Sequence, residues 1–271
     1  MDVKELEKKA KQHRREIIQM IYDVQSGHPG GSLSAIDVLT ALYGHKLNFD
    51  SKKTDWPDRD RFVYSKGHAC PALYTVLADQ GYFSKDEFKG FRRFGHMLQG
   101  HADRKWVPGV EFSAGSLGQG LAFSIGIAFS GRIDKKDFKV YCMLGDGECD
   151  EGSVWESAMA AAHFKLNNLI AILDYNKVQQ TGKTEAIMSL EPVEDKWKAF
   201  GWRTIVIDGH NMKEIVDALD NAAKDDGRPT MIIANTKKGK GVSFMELNEK
   251  FHGKAPNEEE YKQAMEELKD A

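Results

Sequence analysis

Two stretches decide the reading: Val140-Tyr-Cys-Met-Leu-Gly-Asp-Gly147, continued by Glu148-Cys-Asp-Glu-Gly152, and Leu169-Ile-Ala-Ile-Leu-Asp-Tyr-Asn176. Each is a short unbroken apolar run that stops abruptly at polar residues. An apolar run of this length, rich in β-branched and large aliphatic residues, predicts a strand buried on both faces. Between them, a helix is expected over about 153–166. The same alternation continues with strand runs at Arg203–Ile207 and Met231–Ala234 and a helix over about 212–224. Strands alternating with helices predict an α/β fold with a mostly parallel central sheet and helices on both faces. Ligands of such sheets bind beyond the carboxyl ends of the strands, where Gly145-Asp146-Gly147 and Asn176 stand.

The rest of the chain extends the pattern. Leu6, Ala10, Ile17, Ile18, Ile21 and Val24 recur among charges and predict an amphipathic helix over 4–24. Ser26-Gly-His-Pro-Gly-Gly-Ser32 interrupts it, and Ser32 or Ser34 is expected to cap a second helix through Leu33–Leu42. Arg61–Ser65 is a further strand candidate, followed by a helix through Pro71–Ala78. Phe83–Pro108 reads as a long functional loop with short helical pieces. A helix rich in small residues is expected from Leu117 to Ser130. The charged tail from Pro256 is expected to be a helix with a solvated face or a subunit contact. With 271 residues, 41% hydrophobic and 29% charged, the chain suits one domain spanning 1–271. A net charge of −3 gives no general attraction to nucleic acid or anionic membrane. There is no membrane-length apolar run and no signal-peptide pattern, so the cytoplasm is the expected location. Cys70, Cys142 and Cys149 form neither a CxxC pair nor a disulfide framework.

Asp146 and Asn176 lie thirty positions apart (146 to 176), one strand–helix–strand unit. Neighbouring parallel strands would bring both to one edge of the sheet. A carboxylate and an amide oxygen converging there suit a hard divalent cation, with phosphate oxygens completing its shell. Gly147, lacking a Cβ, lets the backbone approach a phosphate. A tight turn with a helix-capping aspartate is the plain alternative for Gly-Asp-Gly alone. The second strand, ending in Asn at the right distance, favours the metal site.

Gly145 to Gly152 with Asn176-Lys-Val178 resembles the thiamine diphosphate motif of transketolases and related enzymes. The resemblance extends through Ser26-Gly-His-Pro-Gly30, Ser65-Lys-Gly-His-Ala69, Gly100-His101 with Pro108-Gly-Val-Glu111, Gly115-Ser-Leu-Gly-Gln-Gly120 and Phe251-His-Gly-Lys-Ala-Pro256, in transketolase order over about residues 10–256. It implies Asp146 and Asn176 as side-chain ligands and Val178 as a carbonyl ligand of Mg²⁺, for which Ca²⁺ or Mn²⁺ could substitute. It implies His68, His252, Gly147 and Asn176 around the diphosphate, and Gly115, Ser116 and Leu117 behind the aminopyrimidine. His28, His101 and His252 are implied as the catalytic histidines facing the sugar. Ser116 departs from the proline commoner in full-length members, a change expected to preserve a backbone contact. Glu151 is either an interface glutamate or simply an acid near a helix start. Lys237, Lys238 and Lys240 sit in a Gly-punctuated loop that could face an anion or solvent. Cys149 lies where a helix start can lower a thiol pKa, with no role assigned. His13, His45, His96, His163 and His210 are expected to be structural or exposed.

The family's activating glutamate and most sugar-phosphate contacts come from a second domain, for which the chain to Ala271 has no counterpart. The resemblance therefore implies the N-terminal, diphosphate-holding subunit of a split transketolase, active in ketol transfer of the pentose phosphate pathway type. A partner subunit would supply the pyrimidine-binding half in an α2β2 heterotetramer. Alternatives are a split transketolase for a sulfonated or branched sugar, a 2-oxoacid dehydrogenase-like α subunit, and a regulatory or scaffold subunit.

Overall fold

The computed structural model describes residues 1–224 and 226–269. Five strands, β1 (Arg61–Tyr64), β2 (Val140–Gly145), β3 (Leu169–Tyr175), β4 (Arg203–Asp208) and β5 (Thr230–Asn235), form one sheet in the order β1-β2-β3-β5-β4. All four pairings are parallel. The helices are α1 (Val3–Val24), α2 (Pro29–Ala41), α3 (Cys70–Asp79), α4 (Gln119–Ile133), α5 (Gly152–His163), α6 (Thr184–Ile187), α7 (Val193–Ala199), α8 (Met212–Ala222) and α9 (Glu258–Glu267).

The two-residue period of the strands divides the core. Tyr141, Met143, Ile170, Ile172, Ile232 and Ala234 face one layer, packed by α1, α2, α3 and α8. Val140, Cys142, Leu144, Leu169, Ala171, Leu173, Met231 and Ile233 face the other, packed by α4, α5 and α7. β2, β3 and β5 are thus covered on both faces, which is why they read as unbroken apolar runs. β4 is an edge strand, and its Val206 remains half exposed.

Several boundaries differ from expectation for local reasons. α1 begins with a capping box in which Asp2 accepts from the Glu5 amide and Glu5 from the Asp2 amide. α2 starts at Pro29 rather than after a serine cap. Proline at the first helical position loses only an amide that has no helical partner. Ser32 instead donates to the carbonyls of His28 and Ala69, and Ser34 to Gly31 and to Asp174. α2 then runs into a π-helical turn, Leu42–Lys46. α4 begins two residues later than expected because Gly118, at φ 82°, supplies its left-handed N-cap. The short helices α6 and α7 were not foreseen. The charged tail, as α9, docks on α1: Tyr261 stacks on Tyr22 at 4.0 Å, and Ala264 and Leu268 are buried. No described helix is long and apolar enough to cross a membrane.

Candidate active site

The carboxyl ends of β1, β2, β3 and β5 and the start of α2 converge on a cavity of about 360 Å³. Its walls include His28, Gly31, Lys66, His68, Gly115, Leu117, Gly145, Asp146, Gly147, Asn176, Val178, Lys238 and His252. Gly145 is registered against Asp174 on the next strand, so Asp146 and Asn176 emerge side by side. The chain turns sharply there, with Lys177 in the left-handed region at φ 67°. That turn directs the Lys177 amide onto Asp146 Oδ2 at 2.6 Å. Gly147 N and Thr184 Oγ1 also donate to Asp146, at 2.9 and 3.2 Å. Burial and the neighbouring Asp174 push the Asp146 carboxyl up to about 6. A buried carboxylate held this unfavourably, with lone pairs to spare, is suited to a cation.

Asn176 is oriented from behind. Its Nδ2 donates to Asp174 Oδ2 at 3.1 Å, while its Oδ1 accepts the Val178 amide at 3.2 Å. Asp174 is itself held by Lys66, Thr236 Oγ1 and Ser34 Oγ, the last at 2.6 Å. Burial alone would raise its carboxyl, yet Lys66 and these hydrogen bonds hold it below the ordinary value. Asp174 is therefore paired, leaving as the oxygen donors at this edge Asp146, the Asn176 amide oxygen and the second lone pair of the Val178 carbonyl, whose first accepts Lys238 Nζ. Among the described residues no group of three or more His, Cys, Asp or Glu side chains could hold a metal. One carboxylate and two neutral oxygens form an incomplete shell for a divalent ion, a donor set that fits Mg²⁺ only with an anionic ligand beside it.

Cations and imidazoles fill the opposite wall. Lys238 Nζ donates to the carbonyls of Val178 (2.7 Å) and Gln179 (3.0 Å) and to His252 Nδ1 (2.8 Å). Burial and Lys66 lower the Lys238 ammonium to about 8, so it is largely charged at neutral pH. Arg92 Nη2 donates to His28 Nδ1 at 3.3 Å, and its Nη1 to Ser26 Oγ at 2.9 Å. Each cation thus occupies an Nδ1, which places the proton of both imidazoles on Nε2. The His28 ring lies 5.2 Å from His68, 5.4 Å from His252 and 6.3 Å from His101, centroid to centroid. Burial, reinforced by Arg92, His101 and Lys238, lowers His28 to about 4; burial, Lys238 and His28 lower His252 to about 3. His68 is held well below its ordinary value by burial and Lys66, and His101 is lowered by burial and Arg92. The cluster is neutral at pH 7, a set of fixed hydrogen-bond donors and acceptors.

Of the sequence candidates, His28, His68, His252, Gly115, Leu117, Asp146, Gly147, Asn176 and Val178 line the cavity. His101 is exposed beside it, and Ser116 is exposed between two lining residues. Glu151 caps α5 without a side-chain bond and is exposed. Cys149 is buried, and burial with Glu148 and Asp146 drives its thiol well up, contrary to the activating helix-start expectation. Of the three loop lysines only Lys238 faces the cavity; Lys237 pairs with Glu246 at 2.8 Å. Lys66 and Arg92 were not singled out from the sequence. Lys66 follows Ser65 in a quoted motif, but its partner Asp174 is distant in the chain. Glu148 was also missed: it accepts from Ser65 Oγ and from the amides of Gly118 (2.8 Å) and Gly145 (3.0 Å), joining the β1, β2 and α4 ends.

A larger cleft, about 620 Å³, lies at the amino end of β1. Its Arg59 is paired with Glu111 at 2.6 Å and Arg61 donates to the carbonyls of Arg59 and Pro57, so these cations are satisfied internally.

Comparison with known proteins bears on the family. The family described as "Transketolase, thiamine diphosphate binding domain" matches residues 6–269. The chain is 45% identical to the 6-deoxy-6-sulfo-D-fructose transketolase subunit SqwG of Clostridium sp. (strain MSTE9), covering 97% of this chain and 96% of that one. It is 41% identical to an apulose-4-phosphate transketolase subunit of Phocaeicola vulgatus, covering 99% and 95%. The crystal structure of transketolase from Campylobacter jejuni superposes with a TM-score of 0.94 at 34% identity, over 99% of this chain but 43% of that one. The chain therefore belongs to the transketolase family, to its thiamine diphosphate binding domain.

Proposed function

We propose that this chain is the diphosphate- and metal-holding subunit of a split transketolase, which moves a two-carbon ketol unit from a ketose phosphate to an aldose phosphate. The observation that carries the reading is the convergence of Asp146, Asn176 and the Val178 carbonyl with Lys238 and three neutral histidines in one cavity. Asp146, Asn176 and Val178 O would hold Mg²⁺, and Lys238, His68 and His252 would face the diphosphate, with Gly147 allowing close backbone approach. Gly115, Ser116 and Leu117 would back the aminopyrimidine. Thiamine diphosphate, when bound, supplies the nucleophilic carbon and the electron sink for carbon–carbon cleavage. The chain's own contribution is positional and electrostatic. His28 presents Nε2–H because Arg92 holds its Nδ1, and His252 does so because of Lys238. Two neutral donors of this kind, with His101 beside them, can hold a sugar carbonyl or hydroxyl oxygen through Nε2–H without adding positive charge.

A partner subunit carrying the pyrimidine-activating half is part of the proposal, in an α2β2 assembly. Two relatives matched over nearly their whole length are named as subunits, whereas the Campylobacter transketolase chain is matched over 43%. α4, α5 and the α5 C-cap also leave Phe123, Ile133, Met159 and Phe164 exposed, apolar side chains suited to coverage. The names of those two relatives favour a second reading for the substrate, a sulfonated or branched sugar rather than the common pentose phosphates.

The test is co-expression with the candidate partner, sought first in the neighbouring reading frame. Ketol transfer from xylulose 5-phosphate to ribose 5-phosphate would be assayed with thiamine diphosphate and Mg²⁺. Activity is expected in the mixture and in neither half by itself. A stable, cofactor-binding complex inactive on these sugars would favour the specialised substrate. Full activity from this chain alone would refute the split arrangement.

A further inference from the structure

Lys238 reaches the cavity from a loop that has little regular structure to hold it. Lys237–Gly241 follows β5 and contains two left-handed glycines, Gly239 at φ 78° and Gly241 at φ 92°. The stem of Lys238 passes close over Gly30, where an added Cβ would lie 3.0 Å from Lys238 Cγ. Three long-range bonds hold the backbone of this loop. Gly239 N donates to Gly30 O at 3.0 Å. Lys237 N donates to His210 Nε2 at 2.8 Å, and Arg14 Nε donates to Lys240 O at 3.1 Å.

The last two bonds belong to one buried chain of groups. Arg14, on α1, makes a two-pronged pair with Asp37, on α2, at 2.9 and 2.6 Å. Asp37 Oδ2 also accepts His210 Nδ1–H at 2.7 Å. His210 follows β4, and both its ring nitrogens are committed: Nδ1 must carry the proton and Nε2 must accept the Lys237 amide. Burial would raise the Asp37 carboxyl, but Arg14 and His210 hold it down at about 2. The carboxylate stays charged and keeps the imidazole in that one tautomer. The result is a clamp from two helices and one strand end that grips the backbone on either side of Lys238.

We propose that Arg14, Asp37 and His210 are positioning residues for Lys238, fixing its loop so that the ammonium stands ready in the anion cavity. None of the three lines that cavity. The inference rests on the reading of the cavity as a diphosphate site. It predicts that the clamp acts on anion affinity through Lys238 and not merely through stability. A side chain already held where the anion binds loses less freedom on binding.

The experiment is calorimetric titration of the full chain with inorganic pyrophosphate in Mg²⁺, for the unaltered protein, His210→Phe, His210→Gln, Lys238→Met and the His210→Phe/Lys238→Met pair. His210→Phe should weaken binding about tenfold, and His210→Gln, which keeps an acceptor for the Lys237 amide, by clearly less. With Lys238 replaced by methionine, His210→Phe should cost nothing further. Hydrogen exchange at the Lys237 amide should accelerate in His210→Phe without any ligand. Equal losses in both backgrounds, or unaltered exchange at Lys237, would overturn the inference while leaving the diphosphate reading intact. Failure of the unaltered chain, alone and with its partner, to take pyrophosphate would remove the diphosphate reading and this inference with it.

Discussion

Replacing Lys66 by methionine removes the cation from beneath the site and leaves its surroundings in place. Lys66 and Asp174 are each about 98% buried or more, with side chains 2% and 1% exposed, and their ion pair is shielded from water. After Lys66→Met, Asp174 would keep the Ser34, Thr236 and Asn176 donors but lose its only ion-pair partner among the described residues. Breaking such a pair from one side costs about 3–5 kcal/mol, because a charge is left buried without compensation. At roughly 2–4 °C per kcal/mol for a protein near this size, the melting temperature should fall by about 10 °C. The double variant Lys66→Met/Asp174→Asn removes both charges while keeping an oxygen acceptor, and should recover at least half of that loss. It should not recover metal affinity, since the carboxylate that orients the Asn176 amide is gone. Melting curves followed by circular dichroism, with Mn²⁺ affinity measured in parallel, test both halves. A single variant as stable as the unaltered protein, or a double variant showing the sum of two losses, would refute the reasoning.

His13 is buried, its Nδ1 beside Thr40 Oγ1 and its Nε2 without a hydrogen bond 3.8 Å from Asp79 Oδ2, and burial, opposed by Asp79, lowers it from 6.5 to about 4. The unfolded chain then binds this proton more readily, so the stability of the neutral form is complete above about pH 6.5 and is lost as pH falls toward 4. In urea titrations His13→Leu should lose about 2 kcal/mol less between pH 7 and 5 than the unaltered protein, to whose loss buried His28, His68 and His252 also contribute; equal losses in both would count against it. Gly67→Ala would place a Cβ 2.7 Å from Ala114 Cβ and 2.8 Å from its carbonyl carbon, forcing apart the His68 turn and the 114–117 segment. A cost of about 1–3 kcal/mol is expected by denaturant titration, together with weaker diphosphate binding. In the assembled enzyme, His28→Ala and His101→Ala should each lower ketol transfer at least tenfold. A regulatory or scaffold subunit would lose nothing.

The parts of the fold legible in the sequence are those whose signal is local. β2, β3 and β5 announce themselves because both faces are buried, so their central positions are apolar and polar residues enter only toward the ends. Asp146 and Asn176 could be placed together because parallel register converts their sequence spacing into adjacency. The misreadings are tertiary in origin. Ser32 and Ser34 look like helix caps, but their hydroxyls bond to Ala69 O and Asp174, far along the chain. Lys66 and Arg92 look like surface cations until the fold brings Asp174 and His28 against them. Lys238 is chemically indistinguishable from Lys237 and Lys240 in the sequence; only the fold shows that it is the one lining the cavity. The tail is the helix with a solvated face that its charges led one to expect; its seat on α1 through Tyr261 and Ala264 is the part that was not legible.

The central claim is that this chain binds a divalent ion and a diphosphate as a pair, through Asp146, Asn176 and the Val178 carbonyl. Electron paramagnetic resonance of Mn²⁺, titrated into the chain with its partner in the presence and absence of thiamine diphosphate, tests it most directly. One carboxylate and two neutral oxygens should hold the ion weakly alone and at least tenfold more tightly with the diphosphate, and Asp146→Ala should abolish that gain. Mn²⁺ binding that ignores the diphosphate, or that survives Asp146→Ala unchanged, would contradict the account.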